Sequence, residues 1–95
     1  MMQYSFEWHD DKNIENQQKH GIAFEEAQYA FLDEYRIIVH DEKHSQDEER
    51  LFCIGKVSNR VLTVRFIYRD GIIRIFGAAE WRKWRQYYEH ENKIR

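Results

Sequence analysis

The run Arg60-Val61-Leu62-Thr63-Val64-Arg65-Phe66-Ile67-Tyr68-Arg69, then Asp70-Gly71, then Ile72-Ile73-Arg74-Ile75-Phe76-Gly77-Ala78 decides the fold. Both flanks are rich in β-branched and aromatic residues, which suit strands. Asp-Gly between such runs marks a two-residue type I′ hairpin, because both turn positions need positive φ. Working backwards, Ser58-Asn59 is a weaker second hairpin turn, and Arg50 to Ser58 reads as the strand before it. Tyr35 to Asp41, holding Ile37-Ile38-Val39, is a further strand, joined through the acidic connection Glu42 to Glu49. These four strands form an antiparallel meander.

Helices flank the meander. Asp10 or Asp11 is placed to cap a helix that runs to about His20, with Gly21 just past its end. Phe24, Ala27, Gln28 and Phe31 recur at i, i+3, i+4 and i+7, the stripe of a second helix. Its N-cap, Ala23, offers no oxygen, which costs about 1 kcal/mol against Ser. A third helix spans about Glu80 to Asn92, and Trp81, Trp84 and Tyr88 on it read better as rings packed on the sheet than as base-stacking groups. Tyr4 to Trp8 alternates as a short N-terminal strand. The predicted fold is a single α+β domain over residues 1–95: an antiparallel sheet of about four strands plus the N-terminal strand, two N-terminal helices and one C-terminal helix.

Ninety-five residues suit one domain with a small core, and the 15 aromatic rings enlarge it, since each buries on the order of 150–250 Å². No apolar run approaches the ~18–20 residues of a membrane helix, and the first residues lack the features of a signal peptide. Cys53, the single cysteine, reads as a buried thiol. The expectation is a cytoplasmic protein with no membrane partner. The net charge of −2 conceals a division: residues 1–49 hold 4 Lys/Arg and 13 Asp/Glu, a balance of −9, while residues 50–95 hold 11 and 4, a balance of +7. Either the basic half meets a polyanion or the two halves pair with each other.

Alternation puts Leu62, Val64, Phe66 and Tyr68 on one face of their strand and Val61, Thr63, Arg65, Ile67 and Arg69 on the other. Arg74 joins the second face from the next strand. Exposed antiparallel sheets more often carry Thr, Lys and Glu. Guanidinium groups fork onto phosphate oxygens and keep their charge at any working pH. This face therefore reads as a phosphate platform, unless its arginines pair with the acidic connection or with Glu80.

The residues also resemble a known family. Phe6-Glu7-Trp8, Asn16, Lys19-His20-Gly21 and Phe24-Glu25-Glu26-Ala27 follow the opening pattern of BrnT proteins. His44-Ser45, Glu48-Glu49-Arg50, Ile54-Gly55, Arg69, Ile73-Arg74-Ile75 and Tyr88-Glu89 continue it. The resemblance runs from about residue 6 to residue 89. It implies a RelE-like fold, RNA cleavage without a metal or other cofactor, and neutralisation by a BrnA-like antitoxin with a ribbon-helix-helix domain. DNA would be contacted only through that antitoxin, in repression of the operon. The chain departs from the pattern at three places. Ala79 stands where many members have Arg, with Arg82, Lys83 and Arg85 nearby as substitutes; His9 stands for Asp and Ala23 for Ser.

Metal-free cleavage uses the RNA's own 2′-OH as nucleophile, and needs a base, an acid and cations for the charge on phosphorus. Arg69 and Arg74 are the expected catalytic cations and His20 the expected proton-transfer group, unless His20 only bonds the last carbonyls of its helix. Lys19, Arg50, Arg65 and Arg82 are the expected RNA-binding residues. Glu25 and Glu26 are alternative bases. His40 and His44 flank Asp41, but no His-x₃-His helix or cysteine pair supports zinc, so no metal is expected. The competing reading is a catalytically weak or inactive toxin-fold module that acts through antitoxin binding and operon repression. A simple RNA-binding protein or a free-standing repressor lacks its motifs here.

Overall fold

Asp70 and Gly71 have φ of 55° and 78°, both positive, as a type I′ hairpin requires. At the other hairpin only Ser58 does, with φ 56°. The computed structural model describes residues 4–93. Within them lie β1 (Ser5–Glu7), α1 (Asp10–His20) and α2 (Phe24–Ala27), which tightens into a 3-10 helix over Gln28–Leu32. There follow β2 (Ile37–His40), a 3-10 turn (Glu42–His44), β3 (Leu51–Val57), β4 (Arg60–Arg69), β5 (Ile72–Ala79) and α3 (Arg82–Glu91). The sheet order is β1-β5-β4-β3-β2. The last four strands are the predicted antiparallel meander, and β1 adds to β5 in parallel, with Phe6 beside Ile73. The α+β class stands as the sequence predicts.

The sheet has two unequal cores. Leu62, Val64, Phe66, Ile73 and Ile75 pack under Phe24, Ala27, Ala30 and Phe31. On the other face Phe52, Ile54 and Val61 meet Tyr88 of α3, with Trp84 against them. The rings of Trp81 and Trp84 lie 6.0 and 5.5 Å from that of Phe52, so these indoles do pack on the sheet. Gly55 permits the closest approach: a Cβ there would sit 2.4 Å from the Ala30 carbonyl oxygen, so the 3-10 helix rests directly on β3. Cys53 is buried, and burial pushes its thiol up to about 12.

Two asparagines of α1 tie that helix to the rest. Asn16 Nδ2 donates to the carbonyls of Ile22 and Ala78 at 2.8 and 2.9 Å, and its Oδ1 accepts from the Ala78 N–H at 3.1 Å. β1 pairs only with residues 72–74 of β5, so this carboxamide takes the place of a strand further along the same edge. Asn13 Oδ1 accepts from the Phe24 N–H at 2.8 Å. Ala23 is the N-cap of α2 and makes no side-chain bond, as its methyl requires; Asn13 supplies the missing oxygen from another helix.

Some boundaries move. The N-cap of α1 is His9, and Asp10 and Asp11 fall in the first turn, where the helix dipole still favours them. β2 starts at Ile37 rather than Tyr35, because Asp33 gathers the chain into a turn: its Oδ1 accepts from the Tyr35 N–H and its carbonyl from the Arg36 N–H. The last helix starts at Arg82, with Trp81 as its N-cap. No helix among the described residues is long and apolar enough to cross a membrane.

Candidate active-site cleft

The pairing register sets the floor of the site. Arg65 lies beside Phe52 of β3 and Gly77 of β5, and Ile67 beside Arg74. Arg65, Arg69 and Arg74 therefore share one face, as alternation predicts. Between Arg65 and Phe66 the β4–β5 register shifts, leaving Phe76 as the extra residue of a bulge. The freed ring carries two guanidinium groups, with Arg50 Cζ 5.1 Å and Arg65 Cζ 5.3 Å from its centroid.

α1 forms the wall. Bonded to the β5 edge through Asn16, it turns Lys12, Lys19 and His20 toward that floor. Together with Arg50, Arg65 and Phe76 they line an open cleft of about 270 Å³. Its one carboxylate is Glu15, which lies 3.7 Å from Lys19 Nζ. Among the described residues neither Arg50, Arg65 nor Lys12 forms an ion pair, and the His20 ring makes no hydrogen bond, including to the helix carbonyls. Partial burial pulls the Arg65 guanidinium below its usual range; Asp41 opposes this and Arg50 adds to it. Arg50 and Arg65 thus bring two like charges together on a half-buried ring, with no carboxylate in ion-pair contact with either among the described residues.

The other expected cations lie elsewhere. Arg69 rests on Glu48, whose hydrogen bond and charge raise the guanidinium further. Arg74 lies 3.1 Å from Glu7 Oε2 and also bonds the Nε2 of His9, at the opposite end of α1 from His20, about 16 Å along its axis. Arg82 is exposed on the first turn of α3, outside the cleft. The charge division of the sequence thus resolves into two sets. Arg60, Arg69 and Arg74 pair with carboxylates of the acidic half, while Arg50 and Arg65 do not. Glu25 is taken by structure: the Asn13 amide, 2.8 Å away, holds its carboxyl below the usual range.

Arg50 also borders a second cleft of about 260 Å³, shared with Lys43, His44 and Gln46 and with two carboxylates, Asp47 and Glu48. There His44 Nδ1 faces both carboxylate oxygens of the buried Asp41, at 3.0 and 3.2 Å. His40 turns instead to Glu49, at 3.1 Å. Among the described residues no three His, Cys, Asp or Glu side chains converge as metal ligands would.

Sequence reasoning missed Lys12 and Phe76. Lys12 was legible, since it stands seven residues before Lys19 on the same helix face. Phe76 was not, because its exposure follows from a bulge. Ala79 pairs with Thr63 and both are buried, so a longer side chain at 79 would emerge beside the one buried side-chain oxygen, Thr63 Oγ1, without a partner among the described residues.

No curated protein matches this chain. A sequence model of the family described as "Ribonuclease toxin, BrnT, of type II toxin-antitoxin system" matches residues 8–84, about four-fifths of its length. The match takes in α1, the meander and the first turn of α3, and with them every residue of the cleft. The chain belongs to the BrnT family of ribonuclease toxins of type II toxin–antitoxin systems, which implies an RNA target and a protein antitoxin as partner.

Proposed function

We propose that the chain cleaves RNA without a metal, in the cleft between α1 and the sheet, and that a BrnA-like ribbon-helix-helix antitoxin neutralises it. The observation that carries this reading is the convergence of Arg50 and Arg65 on the Phe76 ring with no carboxylate in ion-pair contact. A phosphodiester seated there would meet two guanidinium forks, with Lys12 and Lys19 for flanking phosphates. The 2′-oxygen attacks the adjacent phosphorus; the P–O5′ bond breaks; a proton leaves the 2′-OH and another arrives at the 5′ oxygen. The products are a 2′,3′-cyclic phosphate and a 5′-hydroxyl. Arg50 and Arg65 stabilise the charge that develops on the phosphoryl oxygens. His20, unbonded at the cleft rim, supplies the proton to the leaving oxygen. Arg69 and Arg74 share the face and would join only when RNA displaces Glu48 and Glu7; Arg82 would touch a strand leaving the cleft.

The test is an RNA oligonucleotide incubated in EDTA beside a twin with a 2′-deoxy sugar at the cut position. Cleavage of the first alone supports the reading. Cleavage of both, or a need for added metal, refutes its chemistry. A second reading is favoured by Ala79 and by the carboxylates on Arg69 and Arg74: a toxin-shaped module that binds antitoxin and leaves RNA whole. Tight antitoxin binding with intact RNA would support it.

A further inference from the structure

Besides the cleft cations, one cluster has the build of a proton-transfer group: Asp41 and His44, on the connection between β2 and β3. His44 Nδ1 lies 3.0 Å from Asp41 Oδ2 and 3.2 Å from Oδ1. A carboxylate has no proton to give, so the bond assigns a hydrogen to Nδ1, and in the neutral imidazole the Nε2 lone pair then faces outward. Asp41 is only 8% exposed. The His44 side chain is 56% exposed, and among the described residues its Nε2 has no partner. An imidazole oriented by a buried carboxylate and open at its other nitrogen is the arrangement of a general base. The carboxylate fixes the tautomer and stabilises the imidazolium that forms.

The backbone ties this pair to the phosphate site. The Asp41 N–H donates to the Arg50 carbonyl at 2.8 Å. Ser45 Oγ donates to the Asp41 carbonyl at 2.6 Å and accepts from the Arg50 N–H at 2.9 Å. His20 borders its cleft from α1 and His44 borders the other from the β2–β3 connection, and the two clefts share Arg50. In-line displacement places nucleophile and leaving group on opposite sides of phosphorus, so a base and an acid drawn from separate clefts would suit it.

We propose that His44 Nε2 is the general base that takes the 2′-OH proton, with Asp41 as its positioning residue. This rests on the ribonuclease reading and completes it: His44 ends as imidazolium, His20 ends neutral, and both exchange protons with water before the next turnover.

The test uses two RNA oligonucleotides cut by the wild-type chain, one ordinary and one with sulfur in place of the bridging 5′ oxygen. Thiolate leaves without a proton, so loss of the acid no longer matters, whereas loss of the base still does. H44A is expected to be slower by about 10²–10⁴-fold on both, while binding the 2′-deoxy oligonucleotide within about threefold of wild type. H20A is expected to recover most of its lost rate on the sulfur substrate. D41N is expected to lower kcat by about tenfold or more with KM unchanged, as loss of an outer orienting partner does. H44A at the wild-type rate, H44A rescued by sulfur, or H44A that loses binding in step with rate would each overturn the assignment while the ribonuclease reading stands. A wild-type chain that cuts neither oligonucleotide overturns that reading, and this one with it.

Discussion

The guanidinium of Arg65 lies across the Cα of Gly77: a Cβ at that position would sit 2.6 Å from its Nε and its Nη2. Gly77 is buried and paired with Arg65 across β4 and β5. Its φ is not positive, so the backbone accepts alanine, and what must move is the far end of a flexible side chain. Gly77→Ala should therefore spare the fold and displace the guanidinium from Phe76. The expected result is a Tm within a few degrees of wild type and a cleavage rate lower by roughly 10-fold or more, approaching the ~10²-fold of a lost transition-state donor. Thermal melting beside single-turnover kinetics checks it; unchanged cleavage would separate Arg65 from the reaction.

The two sets of arginines make a second prediction. Arg50→Ala and Arg65→Ala remove cations that form no ion pair among the described residues, and each should cost about 10²-fold in cleavage. Arg69→Ala and Arg74→Ala also release Glu48 and Glu7 from their partners. Their effect on cleavage should be smaller, within about tenfold, because a cation already neutralised offers less to a phosphate. Binding to 2′-deoxy RNA should weaken with salt at about −0.7 log units per phosphate neutralised, and Arg65→Ala should flatten that slope by nearly one phosphate. The reverse ranking would return the catalytic centre to Arg69 and Arg74.

The meander was legible because local chemistry dictates it. Asp70-Gly71 can close only a tight hairpin, and alternation over residues 60–69 then assigns faces without knowledge of the rest of the fold. Which arginines stay open was not legible. Glu48 and Glu7 are 21 and 67 residues from the arginines they hold, and only the folded chain brings them together. The Phe76 platform depends on a register shift that no residue between 65 and 77 announces. The parallel pairing of β1, three residues long, is likewise a tertiary outcome, whereas the turn that takes Tyr35 out of β2 is local to Asp33.

Asn16 carries more backbone than any other side chain on α1, so its loss should be felt in stability first. Asn16→Ala leaves the Ala78 N–H and the carbonyls of Ala78 and Ile22 without their side-chain partner, at a cost of roughly 2–4 kcal/mol. Asn16→Asp keeps the acceptor for the Ala78 N–H but loses both donors at neutral pH, and should be no better. Urea denaturation of the two variants measures this. A loss under about 0.5 kcal/mol would show that α1 is held by other contacts.

Gly55 predicts a larger loss in one methyl group. The atom a new Cβ would meet is the backbone oxygen of Ala30 at 2.4 Å, which cannot swing aside as a side chain can. Gly55→Ala must lift the 3-10 helix off β3, and should cost about 3 kcal/mol, lowering Tm on the order of 10–20 °C. The cleft lies on the opposite face of the sheet, so the variant that remains folded at low temperature should still bind RNA.

Cys53 gives a prediction in pH. Burial holds its folded thiol up to about 12, whereas an exposed thiol ionises near 9. As pH rises, the unfolded chain loses this proton first, which favours unfolding. The stability contribution is therefore complete below about pH 9 and is lost progressively toward pH 12. With these values the loss at pH 10.5 is about 2 kcal/mol. Cys53→Ala removes the effect, so the difference in unfolding free energy between wild type and variant, measured by urea denaturation, should change by that amount between pH 8 and pH 10.5, other titrations cancelling. Iodoacetamide should label Cys53 only as fast as the chain unfolds. Labelling at the rate of a free thiol in native conditions, or a free-energy difference flat across that range, would show that the thiolate is solvated in the folded state.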